Sequence, residues 1–259
     1  MKKEQTKFPS ETIDLPSKGY FYSSDNILSS GKIELKYPTA REEDILTSRN
    51  LIQKGVVIDR FLESLVIDTN VNFDDVLIGD KNAIIYASRI LAYGKDYSVN
   101  ITCPSCGEKQ NEEIDLNEFK HTEVKFNDYT KGKNEFEFTF PISKKQIKFR
   151  LLTHKDEKEI ELISKKMNAM AKGLGINHDM TNRLKKMITE IDGNTNQVYI
   201  NNFVDKDLLS RDSFALREFY IKITPDIDNM IYFTCNNCGY EGGVPLPLDA
   251  GFLWPSTQR

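Results

Sequence analysis

Two copies of one short motif constrain this chain more than anything else in it. Cys103-Pro104-Ser105-Cys106-Gly107 and Cys235-Asn236-Asn237-Cys238-Gly239 use all four of its cysteines. A CxxC turn sets two thiolates one edge apart on a tetrahedral Zn2+, and the glycine behind it lets the backbone turn tightly enough to aim amides at sulfur. Two such turns supply a closed four-sulfur shell. Asn100-Ile101-Thr102 precedes the first and Tyr232-Phe233-Thr234 the second, so each half reads as strand, knuckle, strand. The halves form an internal repeat of a zinc-ribbon half-site. Between Cys106 and Cys235 lie 128 residues, where a simple ribbon has about 15 to 20. One hairpin of the ribbon therefore opens into an inserted domain, and the chain returns to close the metal site.

Redox-active CxxC pairs would be expected beside a βαβ pattern, with low-pKa thiols at helix N-termini; these pairs sit between β-rich segments instead. That context favours structural zinc and leaves disulfides or a redox role as the alternative. A catalytic zinc keeps an open coordination position, which four thiolates do not leave.

The 259 residues, 39% apolar and 29% charged, suffice for one large domain or two modest ones. No window approaches the roughly 18 apolar residues a spanning helix needs, and Met1-Lys2-Lys3-Glu4-Gln5 leads into no apolar signal core. Membrane spanning and signal-directed secretion are disfavoured. With 35 basic against 39 acidic residues the net charge is −4, so the chain does not advertise the basic surface that phosphate binding rewards. Its three histidines, His121, His154 and His178, form no triad-like or ligand-like spacing. Walker, GxGxxG, HExxH, GxSxG and HRD motifs are missing, which argues against an enzyme.

The expected class is α+β: a helical N-terminal module joined to a four-Cys ribbon whose halves are split by a large α+β insertion. The boundaries read as an extended arm over 1–30, a helical module with one strand over 31–96, a ribbon of 97–118 plus 230–249, an insertion over 119–229 and a tail over 250–259. Gly31 to Tyr37 alternates like a half-buried strand. Thr39 and Glu42 fit a capping box for a helix with Ile45, Leu46, Leu51 and Ile52 inside, ending at Gly55. Further helices are expected over Val56–Val66, Asp80–Gly94, Lys155–Leu174, Met180–Ile191 and within Phe203–Ile223. Glu135–Phe140 and Gln146–Leu151 read as a β-hairpin, and Val244-Pro245-Leu246-Pro247-Leu248 as an edge strand or strap.

Aromatic residues in irregular terminal segments must dock on their own domain or on a partner. Tyr20, Phe21 and Tyr22 near the start, and Phe252, Leu253 and Trp254 near the end, are accordingly the candidate partner-binding residues. Packing within the protein is the competing reading for both groups.

Leu15-Pro16-Ser17-Lys18-Gly19, Ser30-Gly31-Lys32-Ile33-Glu34, Tyr37-Pro38-Thr39-Ala40-Arg41-Glu42-Glu43-Asp44-Ile45-Leu46, Gly79-Asp80-Lys81-Asn82-Ala83 and Gly94-Lys95-Asp96-Tyr97 precede the first CPxCG knuckle. Together these segments resemble the T4-type baseplate proteins of contractile-tailed phages. The likeness runs over about residues 14–107 and extends to the second knuckle and the Phe252-Leu253-Trp254 tail. It implies a hub component or hub assembly factor that works by contacts with hub, tail tube or wedge proteins, without a small-molecule substrate or a membrane. It also implies residence in the reducing host cytoplasm during assembly and a place in the tail baseplate. The competing class is a zinc-ribbon nucleic-acid-binding protein using the Lys-rich stretches 144–150 and 165–186, which the net charge disfavours.

Overall fold

The computed structural model describes residues 9–170 and 178–254. Residues 1–8 of the expected arm, 171–174 of the expected long helix and 255–259 of the tail lie outside the described residues.

Ser10–Asp14 (β1) and Lys32–Lys36 (β2) pair antiparallel, Ile13 opposite Ile33. Alternation in β2 turns Ile33 and Leu35 into the core, because successive strand side chains point to opposite faces. The chain between these strands dives inward and buries Leu15, Phe21, Tyr22 and Leu28. Residues 10–30 are therefore not an extended arm. Their side chains pack inward: Ser17 and Tyr22 donate to Asp80, and Phe21 packs against Tyr129 and Phe136.

The capping box forms as read: Thr39 Oγ1 accepts from Arg41 N and Glu42 Oε2 from Thr39 N, at 3.3 and 2.9 Å. The helix it starts is shorter than expected. Ala40–Leu46 (α1) stops at Thr47, Ser48 adopts extended backbone, and Arg49–Lys54 (α2) begins anew. This kink turns Ile52 outward, leaving it 51% exposed. Val57–Leu65 (α3) then buries Val57, Phe61, Leu62 and Leu65, an i, i+4, i+5, i+8 stripe. Ile78–Tyr93 (α4) runs through the centre of the module with nine consecutive or near-consecutive buried positions from Gly79 to Arg89.

Two hairpins carry the cysteines. Asp96–Thr102 (β3) pairs with Lys109–Asp115 (β4), and Met230–Thr234 (β8) pairs with Glu241–Pro245 (β9). Pro245 sits at the last position of β9, and Leu246 N then donates to Asn229 O at 2.9 Å.

The region between them is a three-stranded antiparallel sheet flanked by helices. Phe136–Thr139 (β5) pairs with Gln146–Phe149 (β6) as expected, and β6 also pairs with Ile188–Ile191 (β7). The helices are His154–Met170 (α5), Asp179–Met187 (α6), Gln197–Lys206 (α7) and Ser210–Ile223 (α8). The expected helix over Met180–Ile191 thus ends at Met187. Its last four residues are β-branched or flank such residues, and sheet pairing with Ile147 to Phe149 claims them.

The chain leaves and re-enters the cysteine hairpins through one neck. Thr122 N donates to Asp226 O at 2.8 Å and Asp228 N to Lys120 O at 2.9 Å, either side of the His121–Ile227 bridge. This pairing ties the segment that follows β4 to the segment that leads into β8. Gly79 of α4 packs against the neck so closely that a Cβ there would lie 1.8 Å from the Pro225 carbonyl oxygen. A single apolar cluster runs from Leu15 through the helices and the middle sheet to Ala250–Leu253 (α9). The result is α+β, helices with small antiparallel sheets. Among the described residues, no helix is long and apolar enough to cross a membrane.

Candidate metal centre

Each knuckle is built by the same pair of backbone hydrogen bonds. Cys103 N donates to Glu108 O at 2.8 Å and Gly107 N to Cys103 O at 2.9 Å; Cys235 N donates to Tyr240 O at 2.8 Å and Gly239 N to Cys235 O at 2.9 Å. Gly107 and Gly239 complete the turns at φ 76° and 70°, a left-handed conformation that a Cβ disfavours. The repeat seen in the sequence is therefore a repeat in three dimensions.

The neck brings the two knuckles face to face. Cys103 Sγ stands 3.8 Å from Cys238 Sγ, and Cys106 Sγ stands 3.7 Å from Cys235 Sγ. All four sulfurs lie within 4.8 Å of one another. A tetrahedral shell with metal–sulfur bonds of about 2.3 Å has sulfur–sulfur edges of about 3.8 Å, so the arrangement fits a metal ion. All four cysteines are free, and both distances are far beyond the roughly 2.05 Å of a disulfide. Cys103 and Cys235 are buried while Cys106 and Cys238 face outward, which puts one wall of the cluster within reach of solvent.

The two outward-facing thiols are shifted in opposite directions. Glu108's backbone amide and the Asn237 side chain hold Cys106 down to about 6. Cys238 is pulled down by the Tyr240 amide, yet the neighbouring sulfurs push it up to about 11. The Cys106 thiolate forms easily and makes that of Cys238 harder to form. A divalent cation removes that penalty, because the ligands must be deprotonated to bind it.

Residues around the cysteines lock the knuckles together. Gln110 of β4 donates from Nε2 to Thr234 O at 3.1 Å and accepts at Oε1 from Asn236 N at 3.0 Å. Asn237 Nδ2 lies 3.7 Å from Cys106 Sγ. Sequence reading missed Gln110 and Asn237. Only their places beside the repeated knuckles signal them, since a polar strand residue and a turn asparagine are otherwise unremarked.

The six candidate partner-binding residues sit elsewhere, and the structure corrects four of them. Phe21 packs edge-on to Phe136 and Tyr129 at 5.2 and 6.0 Å between ring centroids. Phe252 packs against Tyr86 and Tyr97 at 5.3 and 5.2 Å. Phe21, Tyr22, Phe252 and Leu253 are all buried in the protein's own core, so they serve as internal anchors and offer no surface to a partner. Tyr20 and Trp254 are half-buried: Tyr20 donates to Tyr129 O at 3.0 Å, and Trp254 stands edge-on to Tyr93.

The fold and site together define an α+β protein whose Leu15, Phe21, Tyr22, Phe252 and Leu253 are packed into its core and whose two cysteine hairpins converge on four thiols able to bind a metal ion. The chain belongs to the family described as T4 bacteriophage base plate protein, whose model matches residues 12–247. No curated protein and no solved structure matches it.

Proposed function

We propose that the chain is a non-enzymatic structural or assembly subunit of the baseplate hub in a contractile phage tail, and that its four cysteines hold a structural Zn2+. It acts through contacts with hub, tail tube or wedge proteins, first in the host cytoplasm and then at the tail baseplate. Membership of the baseplate family carries this reading. The four-thiol donor set supports zinc, because soft thiolates in tetrahedral array select it and leave no open position for substrate. In this role Cys103, Cys106, Cys235 and Cys238 hold the ion, while Gln110 and Asn237 orient the knuckles around it. The bound ion supplies cross-linking: it ties β3–β4 to β8–β9 across the inserted region.

Tagged protein recovered from phage-infected cells at early and late assembly times, with purified virions examined alongside by mass spectrometry, tests the proposal. Recovery with hub and tube proteins supports it. Presence in virions assigns a resident subunit, and absence from virions assigns an assembly factor. Recovery of neither group of partners, or salt-sensitive binding to DNA in their place, overturns it.

A further inference from the structure

Helix α8 is apolar on two faces. Its inner face buries Leu216 and Ile223, whereas Phe214 and Ile221, one heptad apart, are 54% and 74% exposed on the other side. They lie about 10 Å apart along one stripe of the helix. A surface helix ordinarily keeps one apolar face, and this outer stripe is a second one, left uncovered within the chain. Around it stand Arg211, Arg217 and Lys222 against a single acid, Glu218, all exposed. None of these three cations closes a salt bridge among the described residues. The Arg217 guanidinium lies 5.7 Å from the centre of the Phe214 ring, which keeps the charge beside the apolar ridge. This is a basic island on a chain of net charge −4.

The same chain presents the complement. A groove of about 410 Å³ opens where the neck meets the cysteine hairpins, with Phe119, Met230 and Tyr232 among the residues lining it. Tyr232 is 76% exposed, more than any other large apolar or aromatic side chain among the described residues. Asp115, Glu118 and Asp228 also line the groove, with Lys120 the one cation. Lys95 pairs with Asp115, while Glu118 and Asp228 have no ion pair among the described residues. Ridge and groove thus match in character and oppose in charge, and neither is covered within the chain.

We propose that the occupant of the groove is a second copy of this chain, which inserts its Phe214–Ile221 ridge between Glu118 and Asp228. The two patches differ, so the contact is heterologous: each copy can offer a ridge to one neighbour and a groove to another, giving rings or open chains according to the angle between copies. Opposite charge at the rim selects this register and disfavours ridge-to-ridge pairing.

The test uses the full chain in its metal-bound form, with mass followed by light scattering across a concentration series at low and high salt. Phe214→Ser with Ile221→Ser removes the ridge, and Glu118→Lys with Tyr232→Ser removes the groove. All four positions are exposed, and unchanged melting temperature and metal content verify the fold. Wild type is expected to gain mass with concentration and to lose that gain at high salt. Each double variant alone is expected to associate at least roughly tenfold more weakly. An equimolar mixture of the two is expected to recover association but to stop at two copies, because only one intact ridge and one intact groove remain. A wild-type chain that stays a monomer throughout, a variant that associates as wild type does, or a mixture that recovers nothing each overturns the proposal. So does loss of the ridge abolishing binding to DNA without affecting mass.

Discussion

Cys103 Sγ lies 3.8 Å from Cys238 Sγ although 135 positions of sequence separate the two residues. The contact depends on the neck, where residues 120–122 and 226–228 run side by side. A cross-link across a loop of that length takes much conformational freedom from the unfolded chain, on the order of 4–5 kcal/mol for covalent closure of about 100 residues.

Gln110 reaches from one knuckle to the backbone of the other through both ends of its amide. Gln110→Ala should leave the fold intact and weaken metal affinity, by roughly 10- to 100-fold if it behaves as supporting residues of metal sites do. Competition against a chromophoric chelator measures this, and unchanged affinity would show that Gln110 plays no part in the site.

Gly79 faces the neck with no room for a methyl group. Gly79→Ala should destabilise the protein by about 1–3 kcal/mol or more, since the obstacle is a backbone carbonyl that cannot rotate away as a side chain could. Denaturant unfolding reads the loss directly. Because the neck aligns the hairpins, metal affinity should fall with it.

Tyr22 donates its hydroxyl to Asp80 at 2.7 Å and accepts from Leu77 N at 2.9 Å, inside the core. Burial, followed by the charge of Asp80, pushes the Tyr22 phenol well above its ordinary value. Tyr22→Phe keeps the ring and orphans a buried amide, which should cost about 1–3 kcal/mol. Thermal unfolding checks this. A neutral outcome would mean that water replaces the hydroxyl.

His154 at the start of α5 is buried, with Nε2 3.3 Å from Asp59 Oδ1 and Nδ1 3.9 Å from Glu157 Oε2. Burial alone would lower its pKa, but the two carboxylates outweigh burial and Lys81, and the net shift is upward from 6.5. A raised folded-state value means the folded protein binds this proton more tightly. The stabilisation is complete below about 6.5 and is lost as pH rises through the folded value. Glu157 works in the opposite sense: held down to about 2, it adds stability above its unfolded value that disappears as the solution is acidified toward about 2. Unfolding free energy measured from pH 6 to 9 should fall for wild type, and His154→Gln should flatten that part of the profile.

The parts legible in the sequence are those whose partners are local or repeated. Thr39 and Glu42 announce the start of α1, and the doubled CxxCG motif announces the knuckles and their mutual approach. The break at Thr47–Ser48 was hidden because Ile45, Leu46, Leu51 and Ile52 suit one continuous helical stripe almost as well. Ile188–Ile191 reads as helix until β6 pairs with it. Asp80 and Asp212 are ordinary acids in sequence, yet both are buried: Asp80 binds Ser17 and Tyr22, and Asp212 accepts from Ile142 N and Ser143 N at 2.7 and 3.0 Å. Their partners lie 58 to 70 positions away, beyond any local pattern. The aromatic termini were legible as docking segments but not as to where they dock, because only the fold places Phe21 beside Phe136 and Phe252 beside Tyr86.

Elemental analysis of the protein purified without added metal, paired with thermal unfolding before and after treatment with a strong chelator, tests whether Cys103, Cys106, Cys235 and Cys238 hold a structural zinc. One zinc per chain is expected, together with a clear fall in melting temperature on its removal and no zinc in the Cys103→Ser, Cys235→Ser double variant. A chain that carries no metal, binds none when zinc is supplied, and melts at the same temperature with or without chelator would contradict it.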